Sequence, residues 1–71
     1  MMNANALKAK MALAGLSAKQ LCQMCDIGLS AFYRKLTGAS EFTQGEISRI
    51  AYALHLTHDE ICEIFFAEKV S

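Results

Sequence analysis

The chain has 71 residues with seven Lys or Arg and seven Asp or Glu, so its formal net charge is zero at neutral pH. This length predicts a single domain over 1–71, which buries only about 60% of the surface that the unfolded chain exposes. The zero charge excludes a uniformly basic nucleic-acid-binding protein. The longest strongly apolar run, 64–67, is far shorter than the ~20 residues of a membrane span.

The charges are distributed unevenly along the chain. Residues 1–49 carry six cationic and three anionic side chains, a net charge of +3, whereas 50–71 carry one and four, a net charge of −3. Binding fields are local and are screened beyond roughly 10 Å at moderate salt, so this distribution matters more than the sum. The sequence therefore predicts a basic N-terminal part, 1–49, called the basic front below, and an acidic C-terminal part, 50–71.

Three cysteines are an odd number, and the first residues do not resemble a secretory signal. A disulfide framework is therefore not expected, and a reducing cytoplasm is the expected location.

Apolar residues recur at three- and four-residue steps almost throughout, which predicts an all-α fold. Gly15 is placed to end the first helix, and Ser17 to cap the start of the second. Thr-x-x-Glu capping boxes that begin at Thr43 and Thr57 open the last two helices. The five helices predicted in this way cover about 5–14, 17–25, 29–37, 43–54 and 57–67.

The segment at about 17–37 meets the requirements of a helix-turn-helix. This motif needs a small residue where two helices cross, a residue that tolerates left-handed geometry in the turn, and an apolar residue after the turn. Cys22, Asp26 and Ile27 supply these in chain order, and Phe32 anchors the following helix inward.

With Phe32 and Leu36 turned inward, the side chains on or beside the outward face of this helix suit a DNA major groove. They can bond base edges or touch thymine methyl groups. The expected base-reading residues are Leu29, Ser30, Tyr33 and Arg34. The expected contacts with the DNA backbone are Ser17, Lys19, Lys35 and Thr37. The alternative is an ordinary helix crossing with a basic exposed face and no role in nucleic-acid binding.

The pattern LSxxxLCxxxDIGxSxF at 16–32, followed by YRKLxG at 33–38, resembles the Cro and lambda-repressor type of helix-turn-helix family. The likeness is greatest to its small prophage-encoded regulators, and EFTxxEI at 41–47 fits them too. The resemblance implies a compact five-helix domain that binds double-stranded operator DNA as a homodimer, with helix 29–37 in the major groove and no cofactor. In that family alanine is common where Cys22 stands, and glycine where Asp26 stands.

A sequence-specific transcriptional regulator of the phage or bacterial repressor type is therefore the leading expectation. The alternative is a protein-interaction module, such as an antirepressor or an antitoxin-like partner, which keeps the fold but binds DNA weakly. The zero net charge favours the protein-interaction module. Ala18 and Leu29 favour it too, because the family often has polar residues at these two positions. The run Tyr33-Arg34-Lys35 and the basic front favour the regulator.

Cys22-x-x-Cys25, His55-x-x-His58 and Cys62 together contain enough sulfur and nitrogen donors for a zinc site, and the alternative is simple packing. The cysteine pair lies in a helical pattern, where free cysteine behaves as a small buried residue, so neither a metal nor a thiol redox site is expected. The histidines lack a catalytic partner and a pocket, so no enzymatic activity and no small-molecule substrate are expected.

Apolar residues near the C-terminus exceed what a small five-helix core can bury. Phe65 is expected in the core. Ile64, Phe66 and Val70 are the candidates for a dimer seam, and the alternative is packing of this tail against the first helix.

Overall fold

The computed structural model describes residues 2–66, which form five helices and no strand. The helices are α1 (Ala4–Ala14), α2 (Ala18–Cys25), α3 (Leu29–Leu36), α4 (Gln44–Leu54) and α5 (His58–Phe65). The all-α, five-helix fold predicted from apolar spacing is confirmed, and each helix begins and ends within two residues of its expected bounds. None of these helices combines the length and apolar character needed to cross a membrane.

Side-chain caps fix where the helices begin. Both expected capping boxes are present: the hydroxyls of Thr43 and Thr57 each accept the backbone N–H of the glutamate three residues later at 3.1 Å. Each glutamate carboxylate accepts the threonine N–H in return, at 2.9 Å. Ser17 and Gln20 form a third box at the start of α2, where the sequence pattern predicts only a serine cap. These pairs satisfy backbone donors that a helix leaves unpaired at its start.

Three of the helices end on a residue in the left-handed region. Gly15 ends α1 at φ 72°, as predicted, and glycine adopts this conformation without steric cost. Asp26 ends α2 at φ 57° and His55 ends α4 at φ 55°, although both carry a Cβ. Aspartate and histidine are among the residues that tolerate this region best.

The core is one cluster of buried apolar side chains from all five helices. α4 packs against α1, α2 and α5, whereas α3 packs mainly against α2. Edge-to-face aromatic contacts join Phe32 of α3 to Phe42, and Phe42 to Phe65 of α5, with ring centroids 5.9 and 5.5 Å apart. The buried residues are Leu7, Met11, Leu21, Cys22, Cys25, Ile27, Phe32, Ile50, Leu54, Ile64 and Phe65.

This core changes the set of residues available for a dimer seam. Ile64 is fully buried inside the subunit, so its side chain cannot face a second copy. Its carbonyl accepts the N–H of Asn3 at 2.6 Å, which ties the start of the described chain to the end of α5. Phe66 is 48% exposed and stays available, and Val70 lies outside the described residues.

Candidate nucleic-acid interface

The turn between α2 and α3 has the geometry of a helix-turn-helix elbow. Asp26 lies at φ 57°, ψ 46°, and its N–H and that of Ile27 both reach the carbonyl of Cys22. Ile27 is buried, and Gly28 then turns extended (φ −64°, ψ 140°) so that its carbonyl accepts the N–H of Phe32 at 2.9 Å. The small, left-handed and apolar positions predicted for the motif therefore lie where the motif requires them.

The two cysteines of α2 are packing residues at this elbow. Cys22 and Cys25 are buried and unpaired, and burial raises the pKa of both thiols, although the charge of Arg49 partly opposes the rise at Cys25. A raised pKa keeps a thiol protonated at neutral pH, whereas metal ligation and nucleophilic attack need the thiolate. No group of three or more His, Cys, Asp or Glu side chains within residues 2–66 is placed to hold a metal ion.

The four expected base-reading side chains share the exposed face of α3. Ser30 and Arg34 are exposed, Leu29 is 41% exposed and Tyr33 is 50% exposed. Phe32 is fully buried, so burial of one ring orients the whole helix. The Tyr33 ring meets the Phe32 ring edge-on, with ring centroids 5.9 Å apart, and this contact restricts the orientation of Tyr33.

Three of the four expected backbone-contacting residues are exposed at the ends of α2 and α3. Lys19 lies in the first turn of α2, directly behind the Ser17 cap. The Ser17 hydroxyl accepts the N–H of Gln20 at 3.1 Å, and its own hydrogen stays available for an acceptor. The Thr37 hydroxyl donates to the carbonyl of Arg34 at 2.9 Å and so caps the end of α3.

Lys35, the fourth, is partly buried and paired with an anion. Its ammonium lies 2.7 Å from both carboxylate oxygens of Glu46, and both side chains are only 14% exposed. The same ammonium lies 5.9 Å from the ring centroid of Phe42. A cation that is paired and partly desolvated contributes little to the external field.

Two other cations of the front contact distant parts of the protein, but only Lys10 is paired with an anion of the described chain. Lys10 of α1 forms an ion pair with Glu60 of α5, and Arg49 of α4 donates to a backbone carbonyl of α2. Lys8, Lys19 and Arg34 are exposed and form no ion pair with any residue of 2–66. On the helix-turn-helix, the unpaired positive charge is therefore carried by Lys19 and Arg34.

Two residues next to the interface are not marked by the sequence pattern as part of it. In the sequence Glu46 stands out only as half of a capping box, and Arg49 only as one of the cations of the front. In the fold each contacts a different helix of the helix-turn-helix. Glu46 is eleven residues from Lys35 along the chain, and Arg49 is 24 residues from Cys25. Contacts over such separations leave no local pattern in the sequence.

The fold and this face define the class of the protein as a small all-α domain built around a helix-turn-helix. A model of the BetR domain family matches residues 4–68, so the chain belongs to the BetR domain family. This domain is a helical, DNA-binding-like domain of a family of regulators. The closer likeness to Cro and lambda-repressor proteins stays a prediction. No curated protein and no solved structure gives a significant match to the chain.

Proposed function

We propose that the protein is a sequence-specific transcriptional regulator that binds double-stranded DNA with α3 in the major groove. The observation that carries the proposal is the surface of α3, where Leu29, Ser30, Tyr33 and Arg34 are all exposed while Phe32 is buried. Membership of a regulator family with a DNA-binding-like domain supports it.

Each side chain of this face has a contact that its chemistry favours. Arg34 can donate two hydrogen bonds to a guanine edge, and Ser30 can bond a base edge or a phosphate. Leu29 and the Tyr33 ring suit thymine methyl groups. The start of α2 presents Lys19 and the free hydroxyl hydrogen of Ser17 to a phosphate.

The proposed mode of action is occupation of an operator by a homodimer, which excludes polymerase. Half-sites would then lie about one helical turn of DNA apart, as in other dimers with this motif. No cofactor and no catalysis enter the proposal. Lys19 in two subunits would neutralise about two phosphates, which gives a slope of log K against log salt of roughly −2.

Selection from a random-sequence duplex library at low salt tests the proposal. Wild type should enrich one defined motif, and Arg34→Ala should lose a guanine of that motif because the bidentate donor is gone. Lys8→Ala is the matched control, since it removes an exposed cation of α1 and should enrich the wild-type motif. If wild type enriches no duplex, the protein is not a sequence-specific DNA-binding regulator.

Sedimentation tests the homodimer separately. Phe66 is the exposed apolar residue at the end of α5, so Phe66→Glu should convert a dimer to a monomer. Leu13→Glu places the same charge on a more exposed leucine of α1 and should leave the dimer intact. Equal sedimentation of Phe66→Glu and wild type would remove Phe66 from the seam.

A protein-interaction module with weak DNA binding is the second candidate. Leu29, Tyr33 and Met24 are exposed apolar residues on the helix-turn-helix, and the ammonium of Lys35 is engaged by Glu46. The surface of the helix-turn-helix therefore has few unpaired cations and a larger apolar area. Such a surface suits contact with another protein. This candidate predicts weak binding of all duplexes, and Arg34→Ala and Lys8→Ala should each lower the affinity to a similar small extent, because each removes one exposed cation.

A further inference from the structure

α4 contacts both helices of the helix-turn-helix through two side chains on one of its faces. Glu46 and Arg49 are three residues apart, a spacing that places them side by side on a helix. Glu46 reaches α3 through Lys35, and Arg49 reaches the last residue of α2, Cys25. Both contacts therefore come from the first two turns of α4.

The contact to α3 is a bidentate charge pair. Lys35 donates to both oxygens of Glu46 at 2.7 Å, while the same carboxylate accepts the N–H of Thr43 at 2.9 Å. Partial burial raises the pKa of Glu46, but the hydrogen bonds from Lys35 and Thr43 outweigh it and leave the pKa lowered. The carboxylate is therefore charged at neutral pH and joins the end of α3 to the start of α4.

The contact to α2 satisfies a carbonyl at the elbow. The last carbonyls of a helix have no partner within the helix, and Cys25 is the final residue of α2. Arg49 donates its Nε–H to this carbonyl at 2.7 Å. The contact lies directly before Asp26, the residue at which the chain turns toward α3.

The packing of α3 makes these contacts consequential. α3 has eight residues and packs mainly against α2, and the connection that follows, 37–43, contains no helix. The angle between α2 and α3 therefore depends on few contacts. A small rotation of α3 about the Phe32 anchor would shift its exposed side chains relative to base edges.

We propose that Glu46 and Arg49 are positioning residues of the DNA interface, and that Lys35 is an internal strut instead of a phosphate contact. Together the three residues form an α4 clamp, which holds α2 and α3 at the angle that the major groove requires. The inference rests on the proposed DNA-binding function. Glu46 and Arg49 touch no DNA themselves, and Lys35, expected from the sequence to contact the DNA backbone, contacts α4 instead.

The chain contains a matched control for the clamp. Thr57, Glu60 and Lys10 repeat the arrangement of Thr43, Glu46 and Lys35, but they join α5 to α1. Glu46→Gln and Glu60→Gln make the same chemical change, and glutamine keeps the capping box in each. Lys35→Met removes the ammonium and keeps an unbranched apolar side chain beside Phe42.

Hydrogen exchange of the free protein tests the clamp without DNA. Glu46→Gln, Lys35→Met and the double variant should each lower the protection of α3 amides relative to α1 amides by about tenfold, the effect of losing a hydrogen bond between charged groups. The double variant should lose no more than either single variant, because the same ion pair is removed in all three. Glu60→Gln should not lower α3 protection relative to α1. Unchanged α3 protection in both single variants overturns the clamp.

Salt titration with a selected duplex tests the role of Lys35. Lys19→Met should make the slope of log K against log salt less negative by about 0.9 for each phosphate contact that is lost. Lys35→Met should lower affinity about two- to thirtyfold, the range for residues that act through coupling, with the slope unchanged. A slope change equal to that of Lys19→Met would identify Lys35 as a phosphate contact and overturn the strut.

The ratio of affinities for selected and random duplexes distinguishes positioning from general stability. Glu46→Gln and Arg49→Met should reduce this ratio, because displaced base readers no longer bond the correct base edges while phosphate contacts persist. Arg49→Lys keeps a donor for the Cys25 carbonyl and should restore part of it, and Glu60→Gln should leave it unchanged. An unchanged ratio in Glu46→Gln and Arg49→Met overturns the positioning role. If wild type binds no duplex, the proposed function fails, and hydrogen exchange still decides whether the clamp exists.

Discussion

Replacing Asp26 by alanine and by glycine tests the backbone geometry of the elbow. Asp26 lies at φ 57°, ψ 46°, is exposed, and forms no side-chain hydrogen bond or ion pair with another residue of 2–66. A left-handed conformation costs an L residue about 1–2 kcal/mol, whereas glycine loses roughly 0.5–1 kcal/mol more entropy on folding. The glycine variant should therefore be more stable than the alanine variant by roughly 0.5–1 kcal/mol.

Urea and thermal unfolding followed by circular dichroism measure this difference. For a domain of this size, 1 kcal/mol corresponds to about 4–8 °C in Tm. His55 provides a matched control, since it ends α4 at φ 55°, ψ 45° and is also exposed. The glycine and alanine variants of His55 should show the same order of stability. If alanine at 26 is as stable as glycine while the His55 pair differs, Asp26 is not left-handed in the folded protein.

Three further predictions concern the core, the caps and the thiols. Phe32→Ala should cost about 3–5 kcal/mol, because the ring is fully buried, and urea unfolding should show most of the domain's stability lost; Phe32→Leu should cost clearly less. Acidification should destabilise the fold, because the pKa values of Glu46 and Glu60 are lowered: their contribution is present above the unfolded pKa and is lost as pH falls through the folded pKa. In Glu46→Gln the stability should fall less steeply with decreasing pH, which unfolding at several pH values measures. An equally steep fall would contradict the role given to Glu46. Cys62 should react rapidly with a thiol reagent, whereas Cys22 and Cys25 should react only on unfolding. Rapid reaction of all three thiols in the native protein would contradict the burial of Cys22 and Cys25.

The helices could be predicted from the sequence because their determinants are local. Apolar spacing, Gly15 and the two Thr-x-x-Glu boxes act over three or four residues, and all of them have the expected role in the fold. The third box, Ser17 with Gln20, has the same local form with glutamine in place of glutamate. The end of α2 was less evident, because aspartate in place of glycine at Asp26 is a weaker signal for a left-handed turn.

The exposed face of α3 was also predictable, since one inward anchor fixes the direction of every other side chain on a short helix. Phe32 is buried, and the residues expected on or beside the outward face are exposed. Burial of a particular side chain at the end of the chain was harder to predict. Ile64 and Phe66 are both apolar, but only Ile64 lies in the core.

What the sequence alone determined is the set of helices, the elbow and the outward face of α3, because each depends on neighbours within about one helical turn. Only the tertiary structure decided which charges remain available to a partner. Lys10 and Lys35 count as basic residues in the sequence, yet each is paired with a glutamate in a distant part of the chain. These pairings depend on how the helices pack, and a residue's position in the sequence carries no information about a partner that only folding brings near.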